Sequence, residues 1–176
     1  MNKIFSKIFI DGGDPVETAE AKKLLGYIDG QTTNPTLIAK NPQAIARLAA
    51  GNKFDSKEVY DFYKKVVSEI SPIVDYSVSI ETYSDKNTTA DQMFLQGKEM
   101  YSWIPNAWIK FPTTTEGLKA ASKAVKEGMR VNMTLVFSQE QAAAVYAATK
   151  GAPKGNVFVS PFVGRLDDCG EDGMSL

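Results

Sequence analysis

The stretch Ala107-Trp108-Ile109-Lys110-Phe111-Pro112 is apolar except for one lysine, stops at a proline and is followed by Thr113-Thr114-Thr115. Such a run reads as a short buried strand ending in a turn. An ammonium placed there is poorly solvated. Desolvation disfavours its charged form, lowers its pKa and frees a neutral amine to attack a carbonyl. Taken alone, the stretch better fits a lysine at a strand end that lifts its ammonium to water. What decides the fold is that the pattern recurs along the chain.

Short apolar runs cover Lys7 to Asp11, Tyr27 to Asn34, Ile73 to Glu81, Ala107 to Phe111, Arg130 to Phe137 and Asn156 to Val163. Helical patterns separate them. The first is capped by Asp14 with Pro15 in its first turn and stops at Gly26. Pro35 opens a short piece through Ala39, and Asn41-Pro42 starts another. Asp55-Ser56-Lys57-Glu58 begins a helix to Ile70, with Val59, Phe62, Val66, Val67 and Ile70 at helical spacing. Further helices run from Thr88 to Tyr101, from Thr115 to Lys126 before Gly128, and from a Ser138 cap to Lys150 before Gly151. The alternation predicts an α/β fold with a parallel sheet, in a single domain over residues 1–176.

Periodicity leaves a doubly wound sheet and a (β/α)8 barrel both open. The chemistry of the strand ends favours the barrel. Asp11, Thr33-Asn34, Glu81, Lys110, Asn132-Met133-Thr134, and Ser160 with Arg165 close successive runs, and barrels gather their active sites from the ends of many strands. A dinucleotide site would instead concentrate its signal in one Gly-rich turn. Here the turn after the first run is Gly12-Gly13-Asp14, which is not GxGxxG. The expected core draws on Ile8, Ile10, Ile28, Val78, Ile80, Ile109, Val131, Leu135, Val157 and Val159.

Composition narrows the chemistry. The chain has 20 basic and 21 acidic residues and a net charge of −1, which gives no electrostatic case for nucleic acid or an anionic membrane as partner. No apolar run approaches the roughly 20 residues needed to span a bilayer. Met1-Asn2-Lys3-Ile4-Phe5-Ser6-Lys7-Ile8 has too few apolar residues and no small-residue cleavage site for a signal peptide. The one cysteine, Cys169, excludes an internal disulfide framework and fits a cytoplasmic location. Histidine is absent. Acid–base work near neutral pH must then fall to carboxylates, lysine or tyrosine, and the commonest zinc ligand is missing. An enzyme of this composition is expected to use carboxylates, a lysine and a water, with no metal and no cofactor.

Phe9-Ile10-Asp11-Gly12, Thr32-Thr33-Asn34-Pro35-Thr36, Val78-Ser79-Ile80-Glu81, Trp108-Ile109-Lys110-Phe111-Pro112-Thr113, Val131-Asn132-Met133-Thr134-Leu135-Val136-Phe137-Ser138 and Val159-Ser160-Pro161-Phe162-Val163-Gly164-Arg165 stand in the order of the motifs of the transaldolase family. The chain resembles that family from about residue 9 to its end. The resemblance implies a (β/α)8 barrel and a Schiff base between Lys110 and a ketose carbonyl. A dihydroxyacetone unit would then pass from a ketose phosphate to an aldose phosphate in the pentose phosphate pathway.

It implies that Asp11 is the acid–base carboxylate and that Glu81 and Thr134 hold a catalytic water. Asn34 and Ser160 would bond the hydroxyls of the three-carbon fragment. Thr33, Asn132 and Phe162 join them as substrate-binding residues, with Arg165 on the phosphate, which its planar fork suits. Read without the resemblance, each has a plainer role. Asp11 and Asn34 fit turn chemistry, Glu81 a surface carboxylate, and Arg165 an exposed partner of Asp167 or Asp168.

Fructose-6-phosphate aldolases, close relatives that release the three-carbon unit, usually carry glutamine where this chain has Glu81 and tyrosine where it has Phe162. The resemblance therefore points to transaldolase. The aldolase and a non-catalytic barrel fragment are the alternatives. The sequence reads to a sixth strand, with Gly170 to Leu176 as the start of a next helix. The resemblance implies that the remaining units of the family's barrel carry further phosphate ligands, a serine and an arginine. Open edges beside the first and sixth strands invite pairing with another chain, so a homo-oligomer is expected.

Overall fold

The computed structural model describes residues 6–175; the reading of Met1 to Phe5 as part of no signal peptide lies outside them. The chain divides into two compact units, Met1–Glu81 with Met100–Ala107, and Thr82–Glu99 with Trp108–Leu176. In the first, strands β1 (Phe9–Asp11), β2 (Gly30–Thr32) and β3 (Ser77–Glu81) run parallel in chain order. In the second, β4 (Ala107–Pro112), β5 (Val131–Val136) and β6 (Val157–Pro161) do the same. Each strand leads into a helix, so this is an α/β fold with the strand–helix repeat of the (β/α)8 barrel. Six such steps fall among the described residues.

The helices begin and end where local chemistry directs. α1 (Pro15–Leu25) is capped by the Asp14 carboxylate, which accepts the N–H of Val16, and ends at Gly26 with φ 83°. Only glycine adopts that left-handed conformation without a steric penalty. α2 (Pro35–Ala39) and α3 (Pro42–Ala49) both start on Asn-Pro. α4 (Ser56–Ile70) carries a full capping box, with Asp55 and Glu58 each accepting the other's N–H. α5 (Ala90–Tyr101), α6 (Thr115–Lys126) and α7 (Gln139–Ala148) follow, the last two capped by Thr114 and Ser138. Among the described residues no helix is long and apolar enough to cross a membrane.

The first unit buries Ile28, Val67, Ile70, Val78 and Ile80, and the second buries Ile109, Phe111, Val131, Met133 and Val145. Three expectations need correction. The buried face of α4 is Tyr63, Val66, Val67 and Ile70, while Val59 is 48% exposed. Leu135 and Val159 are 38% and 42% exposed and are not core. Leu135 sits in a bulge: Met133 pairs with Val159 but Val136 pairs with Pro161, so Thr134 and Leu135 together face Ser160. The chain after β6 turns at once into α8 (Val163–Asp168), and the segment expected to begin a helix holds a single tight turn, Gly173–Ser175.

Candidate functional site

In the second unit, parallel pairing sets Lys110 directly beside Asn132 and Pro112 beside Thr134. Side chains alternate along a strand, so Lys110, Asn132 and Thr134 share one face. All three are buried, at 6%, 2% and 1% exposure. Asn132 Oδ1 accepts the Ser160 hydroxyl at 2.8 Å, which ties β5 to β6 on that face. Thr113 fixes the adjoining strand end by donating its N–H (2.9 Å) and its hydroxyl (2.7 Å) to the Thr134 carbonyl. The Thr134 hydroxyl itself has no protein hydrogen-bond partner. A buried hydroxyl of this kind has both a proton and lone pairs to offer a small polar guest.

Leu135 next to it has φ 60°. A branched side chain in the left-handed region is strained, and such strain gathers where a bulge re-aims a neighbouring group. Phe162 is half-buried and meets the Phe137 ring edge-on at 5.3 Å. Arg165 stands exposed on α8. Asp167 is occupied in accepting the N–H of Gly173 at 2.9 Å.

The first unit holds the other predicted residues. Asp11 ends β1, is exposed, and accepts the Thr32 hydroxyl at 2.5 Å. The turn that follows is held from below by two buried amides: Gln31 Nε2 donates to the Gly12 carbonyl at 3.0 Å and Asn41 Nδ2 to that of Gly13 at 2.8 Å. Gly13 is required there, since a Cβ would lie 2.6 Å from the Leu37 carbonyl oxygen. Asn34 caps α2, its Oδ1 accepting the Leu37 N–H at 2.9 Å, so the handle it has left to offer is the amide Nδ2, a donor. Thr33 is fully buried and donates its hydroxyl to the Ser79 carbonyl at 2.8 Å. Glu81 closes β3 half-buried.

Sequence reasoning missed Tyr63. Its hydroxyl lies 2.7 Å from Thr33 Oγ1 and accepts the N–H of Glu81 at 3.0 Å. Burial, more than any other cause, pushes the phenol far above the ordinary tyrosine range, and the charges of Glu81 and Asp11 push the same way. The spacing of Tyr63, Val66, Val67 and Ile70 was a signal that could have found it. Among the described residues no cluster of three or more His, Cys, Asp or Glu is placed to hold a metal ion.

Against known proteins, the family model described as Transaldolase/Fructose-6-phosphate aldolase matches residues 8–175. The chain is similar to the probable transaldolase of Dehalococcoides mccartyi, 41% identical over 171 residues, covering 97% of this chain and 67% of the relative. It is also similar to the probable transaldolases of Herpetosiphon aurantiacus (41% over 170 residues; 97% and 64%) and Thermoplasma volcanium (42% over 170 residues; 97% and 65%). The chain thus spans about two thirds of the length of these relatives.

Proposed function

Because the chain belongs to the transaldolase/fructose-6-phosphate aldolase family, we propose that it carries the covalent chemistry of a transaldolase. In this reading the Lys110 amine adds to C2 of a ketose phosphate, fructose 6-phosphate or sedoheptulose 7-phosphate. Loss of water gives the iminium. Asp11 takes the proton of the C4 hydroxyl, the C3–C4 bond breaks, and its electron pair moves into the nitrogen-conjugated enamine. The released aldose phosphate leaves. A second aldose phosphate accepts the enamine carbon, and water then frees the new ketose. This is the carbon exchange of the pentose phosphate pathway, and it needs neither metal nor cofactor.

The observation that carries the reading is Lys110 itself, 6% exposed in the middle of a fully buried strand, with Asn132 beside it and Thr134 on the same face. Lysine is among the residues least often buried, and this depth in the strand singles out its amine for the covalent role. The partnerless Thr134 hydroxyl supports its assignment to a water that shuttles protons during iminium formation, and the resemblance gives Glu81 a role of the same kind. Asn34 through Nδ2, together with Asn132, Ser160 and Phe162, is assigned to the bound sugar, and Arg165 to its phosphate. Thr33, buried with its hydroxyl proton on the Ser79 carbonyl, holds the strand end before Asn34 and does not bond the sugar as expected. Glu81 and Phe162 favour transfer over release of free dihydroxyacetone.

The test is an assay with fructose 6-phosphate and erythrose 4-phosphate. Sedoheptulose 7-phosphate should form only when both are present. Dihydroxyacetone accumulating at the same rate without an acceptor would replace this reading with an aldolase, and neither product would refute it.

A further inference from the structure

The hydrogen bonds around Tyr63 can each run in only one direction. A carbonyl oxygen only accepts, so the Thr33 hydroxyl spends its proton on Ser79. Thr33 Oγ1 must then receive the Tyr63 proton across their 2.7 Å contact. A backbone N–H only donates, so Tyr63 Oη takes the N–H of Glu81 at 3.0 Å. The chain of donors is therefore Glu81 N–H to Tyr63, Tyr63 to Thr33, and Thr33 to the Ser79 carbonyl. The Thr33 N–H also reaches that carbonyl, at 2.9 Å.

This relay joins three elements of the first unit: α4, the end of β2 and the end of β3. Its ring cannot swing away. Tyr63 is 4% exposed and sits edge-on to Trp103 at 6.0 Å, which in turn meets Tyr60 at 4.8 Å. The phenol stays protonated because burial opposes its ionisation, so the direction of the relay is preserved at working pH.

We propose that Tyr63 is a positioning residue for the proposed transfer reaction, pinning the backbone of Glu81 and the side chain of Thr33, the residue before Asn34, through one doubly bonded hydroxyl. The inference rests on the roles given above to Glu81 and Asn34. Tyr63 touches no reacting atom. It removes the freedom of two strand ends at which polar side chains must hold a substrate and a water, and catalytic groups lose effectiveness when misplaced by about an ångström.

The experiment compares the full chain with Tyr63→Phe, which keeps the ring and deletes only the hydroxyl. Amide hydrogen exchange read by NMR without substrate should show the Glu81 N–H exchanging about tenfold faster, the size expected for a lost buried hydrogen bond. Amides of α1 should be unmoved. In the transfer assay kcat should fall about tenfold, with KM within about twofold, a split that general loosening of the fold would not give. An unchanged Glu81 amide, or an unchanged kcat, overturns the proposal. Should the unaltered chain show no transfer at all, the reading of its function falls, and the Glu81 amide alone decides whether Tyr63 is the anchor.

If the variant fails to fold, the native chain still decides. A Tyr63 hydroxyl proton in slow exchange with water, with an NOE to the Thr33 methyl, supports the relay. A rapidly exchanging one overturns it.

Discussion

Gly117, the third residue of α6, gives a sharp test of how the helix seats on the end of the lysine strand. A Cβ built there would lie 1.9 Å from the carbonyl oxygen of Pro112 and 3.0 Å from its carbon. Pro112 is the last residue of β4, two beyond Lys110. On helix propensity alone, Gly117→Ala would stabilise α6 by about 1 kcal/mol. The obstacle is backbone, however, and no rotamer change relieves it. Either the first turn of α6 or the end of β4 must move by more than about 1 Å, and overpacking of that kind costs roughly 1–3 kcal/mol or more.

The steric cost wins. A 1.9 Å approach to backbone puts the cost at the upper end, about 3 kcal/mol, so the expected net loss is about 2 kcal/mol, or about 4–8 °C in Tm for a chain of this size. Gly164→Ala is the control. Nothing lies within 4 Å of a Cβ at Gly164 in α8, so the same substitution should raise stability by about 0.5 kcal/mol through the unfolded chain's lost freedom. Thermal unfolding followed by far-UV circular dichroism, with both variants and the parent in one buffer, reads the two signs together. A Gly117→Ala chain melting at or above the parent would refute the packing argument.

Asp55→Ala should destabilise by about 1 kcal/mol, seen as a lower urea midpoint, because it dismantles the capping box that starts α4. Glu58 makes stability pH-dependent. The Arg47 guanidinium at 2.6 Å, and then the Asp55 N–H, hold its carboxyl below the ordinary value of 4.5. The folded value lies below the unfolded one, so this contribution is present above the unfolded value and is lost as pH falls through the folded one. The Tm should therefore drop as pH falls below the ordinary value of 4.5, and Glu58→Gln should flatten part of that drop. Gly30→Ala should also lower Tm, because its Cβ would lie 2.4 Å from the Phe9 ring and 2.8 Å from the Ser77 carbonyl oxygen.

Much of this molecule is legible in its sequence because local chemistry and tertiary demand agree. Asp14, Asp55, Thr114 and Ser138 cap the helices that their types announce, and Gly26 ends α1 in the conformation only it tolerates. The apolar run around Lys110 is a strand because every residue in it is buried. What escaped the sequence depends on partners far along the chain. Tyr63 reads as one more aromatic on a helix until Thr33 and Glu81 are found at its hydroxyl. Val59 and Phe62 satisfy a helical period nearly as well as Tyr63 does, so the sequence pattern sets the buried face of α4 a small rotation from where it lies. Leu135 keeps strand periodicity on paper, but a two-for-one pairing against Ser160 turns it outward, and nothing in its residue type signals a bulge.

The role of Lys110 is tested most directly by reducing the chain with borohydride in the presence of fructose 6-phosphate and mapping the peptides. A single reduced adduct of one sugar unit is expected on Lys110, absent without the ketose phosphate and absent in Lys110→Met, which should also lack turnover. An adduct located on an exposed lysine such as Lys7 or Lys154, or turnover retained by Lys110→Met, would contradict it.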